Sequence, residues 1–355
     1  MECSTRWGVV ARVSSLPGRQ ELLVRVGADE IKAICYPELT GHCQPGDGVL
    51  LNTTAVDLNL GTGGWHYVLA IEGRERSLAS APGHIIKLRY TPLQGRVLAV
   101  EEEESPHHKI MSQADSLEGL MVAVGSLHSM LAPLSWIIHR RCPGKRLVYL
   151  MSDGAALPLA FSQTVSLLKG RGMLAATITF GHAFGGDLEA VNIYSALLAA
   201  KYAADADLAV VLMGPGVVGT KTTWGTTALE QGIFLNAVLH LEGTPVAIPR
   251  MSLADSRSRH RGLSHHTQTV LGRIVQEPVF LPLPCCFRQF PHWEDQIGDL
   301  PHRISWEDTE EEFQHLMEAD LPLSTMGRGP QEDPWFFHGV TAAALFLSRL
   351  ADRGS

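Results

Sequence analysis

Apolar positions fall into two regimes along the chain. Up to about residue 100 they recur in short β-rich segments: Trp7 to Val13, Glu21 to Val26, Glu30 to Cys35, Gly48 to Asn52 and His66 to Ile71. Pro-Gly, Gly-Ala-Asp and Pro-Gly-Asp-Gly turns divide them, and this spacing predicts a small barrel. Gly83 to Tyr90 alternates as a further strand, which places Lys87 and Arg89 on one face, read here as an exposed edge. The charged, proline-bearing stretch from Glu101 to His108 marks a break, so a β-rich barrel-like domain is expected over residues 1–105.

From about residue 117 the pattern becomes strand, loop, helix, repeated. Met121 to Gly125, Leu147 to Met151, Ala175 to Phe180, Leu208 to Met213 and Val246 to Pro249 are the expected strands. Helix-length amphipathic segments separate them, which implies an α/β domain over 106–290, a mainly parallel sheet with covering helices. C-terminal helices over 291–355 are expected to pack on it. Ser305 to Met317 reads as an acidic-start helix with Phe313, Leu316 and Met317 on its apolar side, and Val340 to Leu350 as a second, suited to the sheet or to another copy of the chain. Ser324 to Pro330 reads as a plain connector between them, with a lid as the alternative.

The material after each strand carries the chemistry. Gly125 to Ser129, Ser152 to Gly154, Gly181 to Asp187, Met213 to Thr227 and Ser252 to Thr267 bring His, Ser, Asp, Lys or Arg to what a parallel sheet makes a single edge. The fourth of these is the organising stretch. It is rich in glycine and threonine, follows a fully apolar strand and precedes a helix over Ala228 to Leu241, with Thr227 and Glu230 at capping-box spacing. Gly214, Gly216 and Gly219 would let backbone amides approach an anion, Thr220 and Thr222 add hydroxyl donors, and Lys221 adds charge. It is not a nucleotide-triphosphatase loop, because Thr220 separates Gly219 from Lys221. No G-x-G-x-x-G follows a strand at the start of the α/β half, so a dinucleotide fingerprint is missing there, and the sequence has no G-x-S-x-G elbow.

Composition narrows the partners. A net charge of −8 and an apolar fraction of 45% in 355 residues fit a globular protein acting on a small anionic metabolite, with no nucleic acid expected. The six cysteines form no CxxC pair and read as reduced thiols. The N-terminal residues lack a signal core and no apolar run is long enough to span a bilayer, so the expectation is a cytoplasmic protein with no membrane association.

Within the fifth loop, Arg257, Arg259, His260 and Arg261 form a basic run that could clamp a phosphate or carboxylate. Asp153 joins these as a ligand-binding candidate, while His182, Asp187 and His265 are the acid/base candidates. His265 and His266 could also share a metal with His182, His260, Asp187 or Asp255, although no HExxH spacing singles out a site and no cofactor can be named. Two function classes stay open: an enzyme acting on an anionic small molecule at the carboxyl edge of the sheet, and a non-catalytic sensor or binding module for the same ligand.

Several strings also carry a resemblance: Leu51-Asn-Thr-Thr-Ala, Leu60-Gly-Thr-Gly-Gly, the stretch from Gly83 to Pro92, Gly181-His-Ala-Phe-Gly-Gly-Asp-Leu-Glu-Ala, Met213-Gly-Pro-Gly-Val-Val-Gly-Thr and Ser264-His-His-Thr. Over nearly the whole chain these resemble an uncharacterised bacterial family designated only as a domain of unknown function. The resemblance implies that the β-rich and α/β parts form one recurrent unit. It supplies no activity, cofactor or catalytic residue.

Overall fold

Five strands at the N-terminus close on themselves, and an eight-stranded sheet follows. The computed structural model describes residues 2–60, 63–298 and 300–353. Gly61 and Thr62, in the glycine stretch from Leu60 to His66, lie outside the described residues. The chain divides into two compact units between Arg96 and Val97.

In the first unit, β1 (Thr5–Leu16), β2 (Arg19–Val26), β3 (Asp29–Cys35), β4 (Gly48–Asn52) and β5 (His66–Ile71) form a closed barrel in the order β1-β2-β3-β5-β4. Only the β3–β5 pair is parallel. Alternation points Val10, Leu22, Val24, Ala33, Val49, Leu51 and Val68 inward, where they make one apolar core. Gly8 is bare for a reason: a Cβ there would stand 2.8 Å from the Arg25 carbonyl oxygen and 2.6 Å from a Val24 methyl. Short helices α1 (Pro37–Thr40) and α2 (Thr54–Asp57) bridge the strands, and β6 (Ile85–Lys87) pairs with β7 (Gly95–Val97). The expected edge strand from Gly83 to Tyr90 is cut short. Leu88 adopts a left-handed φ of 51°, which ends the alternation, so Lys87 is buried and Arg89 exposed rather than side by side.

The second unit begins with α3 (His108–Met111), β8 (Met121–Val124), α4 (Leu131–Arg141), β9 (Leu147–Ser152), α5 (Gln163–Gly170), β10 (Ala176–Phe180) and β11 (Leu188–Ala190). It continues with α6 (Ile193–Tyr202), β12 (Leu208–Met213), α7 (Glu230–His240), β13 (Thr244–Ala247), the short hairpin β14 (Met251–Ser252) and β15 (Gly262–Leu263), and α8 (His265–Arg273). The unit ends with β16 (Phe280–Pro284), α9 (Trp293–Ile297), β17 (Arg303–Glu307), α10 (Glu310–Met317) and α11 (Pro334–Arg353). The charged stretch from Glu101 to His108 lies inside this unit, where the Glu101 carboxylate accepts a hydrogen bond from Val191 N at 2.9 Å.

Eight strands make one all-parallel sheet in the order β11-β10-β9-β12-β8-β13-β16-β17. β9 and β12 are buried along their whole length, as uniformly apolar central strands must be. Helices α6, α7 and α8 share one core with one sheet face, and α4, α5, α10 and α11 share another with the opposite face. β8 and β12 are neighbours, yet β8 leads into α4 on one face and β12 into α7 on the other. Their carboxyl ends therefore form a topological switch point, the position at which open parallel sheets bind ligands.

Three sheet strands lie outside the expected set. β11 is too short to show a period, and β16 reads Phe-Leu-Pro-Leu-Pro, which argues against a strand. Arg303 N donates to Val279 O at 2.9 Å, so the odd-numbered residues of β16 face β17. Pro282 and Pro284 thus point their missing N–H toward β13, where only Val246 and Phe280 are in register. The helix expected from Ser305 begins instead at Glu310, because Ser305 to Glu307 complete the edge strand β17. Phe313 and Leu316 are buried as expected, but Met317 is exposed. No helix among the described residues is long and apolar enough to cross a membrane.

Candidate functional site

The first turn of α7 lies across the carboxyl edge of the sheet, and adjacent residues there reach in opposite directions. Glu230 Oε2 accepts a hydrogen bond from Ser152 Oγ at 2.8 Å, at the end of β9. Gln231 Nε2 donates to Val124 O at 2.8 Å and Ile248 O at 3.0 Å, spanning the ends of β8 and β13. The expected capping box is not what starts this helix. Thr226 caps the turn at Thr227–Leu229 by accepting from Ala228 N, and α7 follows from Leu229 without a side-chain cap.

On the β9 side, Asp153 Oδ2 accepts from His182 N at 2.8 Å, which ties the loops after β9 and β10 together. Gly154 and Gly181 make room for this. A Cβ on Gly154 would stand 2.4 Å from the Glu230 carboxylate, and one on Gly181 equally close to that of Asp153. Burial raises the Glu230 carboxyl above its usual range. Asp187 is not part of this group. Its carboxylate accepts from Thr177 N and Oγ1 at 2.8 and 2.9 Å and pairs with Lys169, so it braces the opposite end of β10. His128 is a structural pin: Nε2 meets Ser162 Oγ at 2.7 Å and Nδ1 meets the Tyr149 hydroxyl at 3.3 Å.

The glycine- and threonine-rich loop is folded onto itself. Thr220 N donates to Gly225 O, Gly225 N to Thr222 Oγ1, Val218 N to Thr227 Oγ1, and Thr226 Oγ1 to Val218 O. These donors hold the loop's own hairpin. Its glycines serve the backbone: a Cβ on Gly214 would lie 2.6 Å from Ala156 O, Gly216 has a φ of 113°, and Gly219 bridges Thr226. Lys221 is exposed at the hairpin tip with a φ of 66°. The structure brings Asp153 and His182 together, and Arg257, Arg259 and His265 together in a second group. It joins neither Asp187 nor the amides of Gly214 to Thr222 to them.

That second group stands at the end of β13. Arg250 is buried, and its partner Asp255 Oδ2 is 3.8 Å away, beyond hydrogen-bond reach. Asp255, also buried, is taken up by Arg257, whose Nε and a terminal nitrogen donate to its two oxygens at 2.9 and 2.7 Å. These bonds hold the Asp255 carboxyl well below its usual range. Arg328 pairs with buried Asp333 at 3.0 Å and stands 4.0 Å from Asp255, while Asp333 also accepts from Ser252 Oγ at 2.7 Å. The segment from Ser324 to Pro330 therefore walls the site; Ser129 Oγ reaches Thr325 Oγ1 at 3.1 Å from the loop after β8.

Beside these cations lie His260, His265 and His266. One ring nitrogen from each is within 4.8 Å of the others, and the ring centroids are 4.1 to 5.0 Å apart. His260 Nδ1 meets Ser264 Oγ at 2.8 Å, and Ser264 also caps α8. His265 Nε2, His266 Nδ1 and Arg259 Nε are buried without a hydrogen-bond partner among the described residues. Burial, reinforced by the neighbouring arginines, pushes His260 down to about 3 and His266 to about 4, and lowers His265 as well. At neutral pH all three rings are uncharged, able to accept a proton or ligate a metal.

Arg250, Arg328 and Asp333 fall outside the residues singled out from sequence, and Glu230 figures there only as a capping-box partner of Thr227. Arg250 had one usable signal, a cation placed directly after an apolar strand that ends Ala-Ile-Pro. The others depend on contacts between residues far apart in the chain, such as Ser252 with Asp333. No curated protein matches the chain. Residues 32–344, which include every residue placed at this edge, match the sequence model of a family described as a protein of unknown function (DUF3866), and the chain therefore belongs to that family.

Proposed function

We propose that the second unit binds a small molecule bearing a phosphate or carboxylate at the carboxyl edge of its sheet and acts on it as an enzyme. The observation that carries this reading is the unmatched charge at the end of β13. Among the described residues the carboxylates paired with Arg250, Arg257 and Arg328 are Asp255 and Asp333, the buried Arg250 guanidinium has none within hydrogen-bond distance, and Arg259 adds a cation whose Nε has no partner. A desolvated guanidinium is costly unless an anion meets it, and its planar fork suits phosphate or carboxylate. The uncharged His265 ring beside it, with Nε2 buried and unpartnered among the described residues, supplies a lone pair for proton transfer or for a metal ion, an element that a plain anion-binding site does not need. Asp153, His182 and Glu230, across the first turn of α7, would face the rest of such a ligand.

Thermal melting with phosphate, sulfate and a panel of phosphorylated and carboxylated metabolites tests the reading, on wild type, Arg250→Met and Lys221→Ala. Ligand at a hundred times its Kd should stabilise the wild type by about 2.7 kcal/mol, with the shift lost in Arg250→Met and kept in Lys221→Ala. Loss in Lys221→Ala alone would move the anion to the loop from Gly214 to Thr222. No shift with any anion would remove the reading. Binding without turnover of any ligand that shifts the melt would leave a sensor or binding module.

A further inference from the structure

We propose that His260, His265 and His266 bind one divalent transition-metal ion of the zinc class through one ring nitrogen each, leaving a coordination position open to the anionic group that the neighbouring arginines attract. The metal assignment stands on the histidine geometry alone; the open position rests on the anion reading given above.

Three features of the chain bring the rings together. The β14–β15 pairing, Met251 with Leu263 and Ser252 with Gly262, folds the excursion after β13 back on itself, so that His260 precedes the returning strand and His265 follows it. Gly262 turns the chain with a φ of 72°, at a point where a Cβ would stand 2.4 Å from Gln296. The start of α8 is then strapped to the sheet end, with Ser264 N donating to Arg250 O at 2.9 Å and Arg250 N to Thr267 Oγ1 at 3.2 Å.

The donor set fits one ion. Zinc–imidazole bonds of about 2.0–2.1 Å in a tetrahedral centre put ligand nitrogens about 3.4 Å apart. The observed spread, up to 4.8 Å, is wider than this, so the rings would draw together on binding. His260 Nδ1 is held by Ser264 Oγ, which fixes the ring and leaves Nε2 as its ligand atom, the kind of outer contact that orients metal-bound histidines. His265 Nε2 and His266 Nδ1 are buried with no partner among the described residues, a cost that a shared ligand removes. Both oxygens of Asp255 are occupied by Arg257, so the set is all imidazole, which suits zinc, copper, iron or nickel better than magnesium or calcium. Arg250 and Arg259 repel a dication, and an anion that completes its shell offsets that repulsion. Metal and anion should therefore bind cooperatively.

Full-length protein stripped with a chelator is titrated with Co²⁺, followed by visible absorption and by elemental analysis, with and without inorganic phosphate. One Co²⁺ per chain is expected, with the absorption of a four- or five-coordinate ion and a metal-induced rise in the wild-type melting temperature. His266→Gln and His260→Gln should weaken binding at least a hundredfold, and Ser264→Ala, which removes no ligand, about tenfold. The exposed control His240→Gln should bind as wild type. Phosphate should tighten Co²⁺ at least fivefold. Absence of Co²⁺ binding to wild type, or equal binding by wild type and His266→Gln, would overturn the metal site; phosphate shifts measured in chelator would still report on the anion site separately. Equal Co²⁺ affinity with and without phosphate would overturn the open-position assignment.

Discussion

Arg250→Met should separate ligand binding from folding in a way that few substitutions of a buried residue do. Burial holds the Arg250 guanidinium down at about 10 against an ordinary 12.5, so carrying the charge costs about 3 kcal/mol at this position. The return is small, because its attraction to Asp255 acts across 3.8 Å and Asp255 keeps its two bonds from Arg257 without it. Methionine fills similar volume with no charge to desolvate. The ligand-free variant should therefore be as stable as wild type, or more stable by about 1–2 kcal/mol, in line with buried charges replaced by apolar side chains. For a unit of this size that is a rise of up to about 5 °C in its melting transition. Phosphate affinity should meanwhile fall at least tenfold, since a charge-assisted hydrogen bond is worth about 1.5–3 kcal/mol. Differential scanning calorimetry without ligand and isothermal titration with phosphate measure the two halves. A melting temperature lowered by more than about 3 °C would show that Arg250 braces the fold, and unchanged phosphate affinity would remove it from the site.

Three other expectations follow from the same structure. Lys221→Ala, at an exposed hairpin tip, should change stability by no more than about 0.5 kcal/mol in urea unfolding; a larger loss would mean that the lysine makes a contact its exposure does not suggest. Gly125→Ala places a Cβ 2.6 Å from a Leu212 methyl and 2.7 Å from the Met130 sulfur in the core, and should cost about 1–3 kcal/mol by the same measurement, so a neutral result would contradict the packing. Burial lowers His128 to about 4, below an unfolded value near 6.5, so the unfolded chain takes up the proton first and stability is lost as pH falls between these values. His128→Gln should lose about 2 kcal/mol less than wild type between pH 7 and pH 5, and parallel pH profiles would refute that account.

Where burial alone decides an element, its residues reveal it. β4 and β12 run over the very residues that the apolar pattern marks, Gly48 to Asn52 and Leu208 to Met213, because each is a short, strongly apolar run bounded by turn residues. β16 escapes for the opposite reason: its prolines break a local rule, and only the thin register with β13 makes that harmless. The site divides along the same line. His260, His265 and His266 are close in sequence and legible as candidates, whereas the sequence places Asp187 at the strand ends only because its loop follows β10. In the structure that loop doubles back along the strand until Asp187 meets Thr177. The loop from Gly214 to Thr227 misleads similarly, since glycines and threonines that could cradle an anion serve equally to close a hairpin. Residue types do not tell those uses apart, because what differs is which acceptor each amide meets.

The arginines and histidines from Arg250 to His266 all arrive on one uninterrupted excursion, anchored to the rest of the unit by the Asp333 carboxylate, the Gln296 side chain and the first turn of α8. Contiguity of this kind makes the excursion a candidate cooperative segment in its own right, able to open and close while the sheet beneath stays folded. The like charges and unsatisfied nitrogens inside it weaken the closed state, and an incoming anion or metal would reverse both terms at once. Amide hydrogens from Ser252 to Thr267 should then exchange at a rate set by ligand concentration, with those of β9 and β12 indifferent to it. In such a molecule occupancy is written as the local folding equilibrium of one segment, and recognition and ordering become the same event.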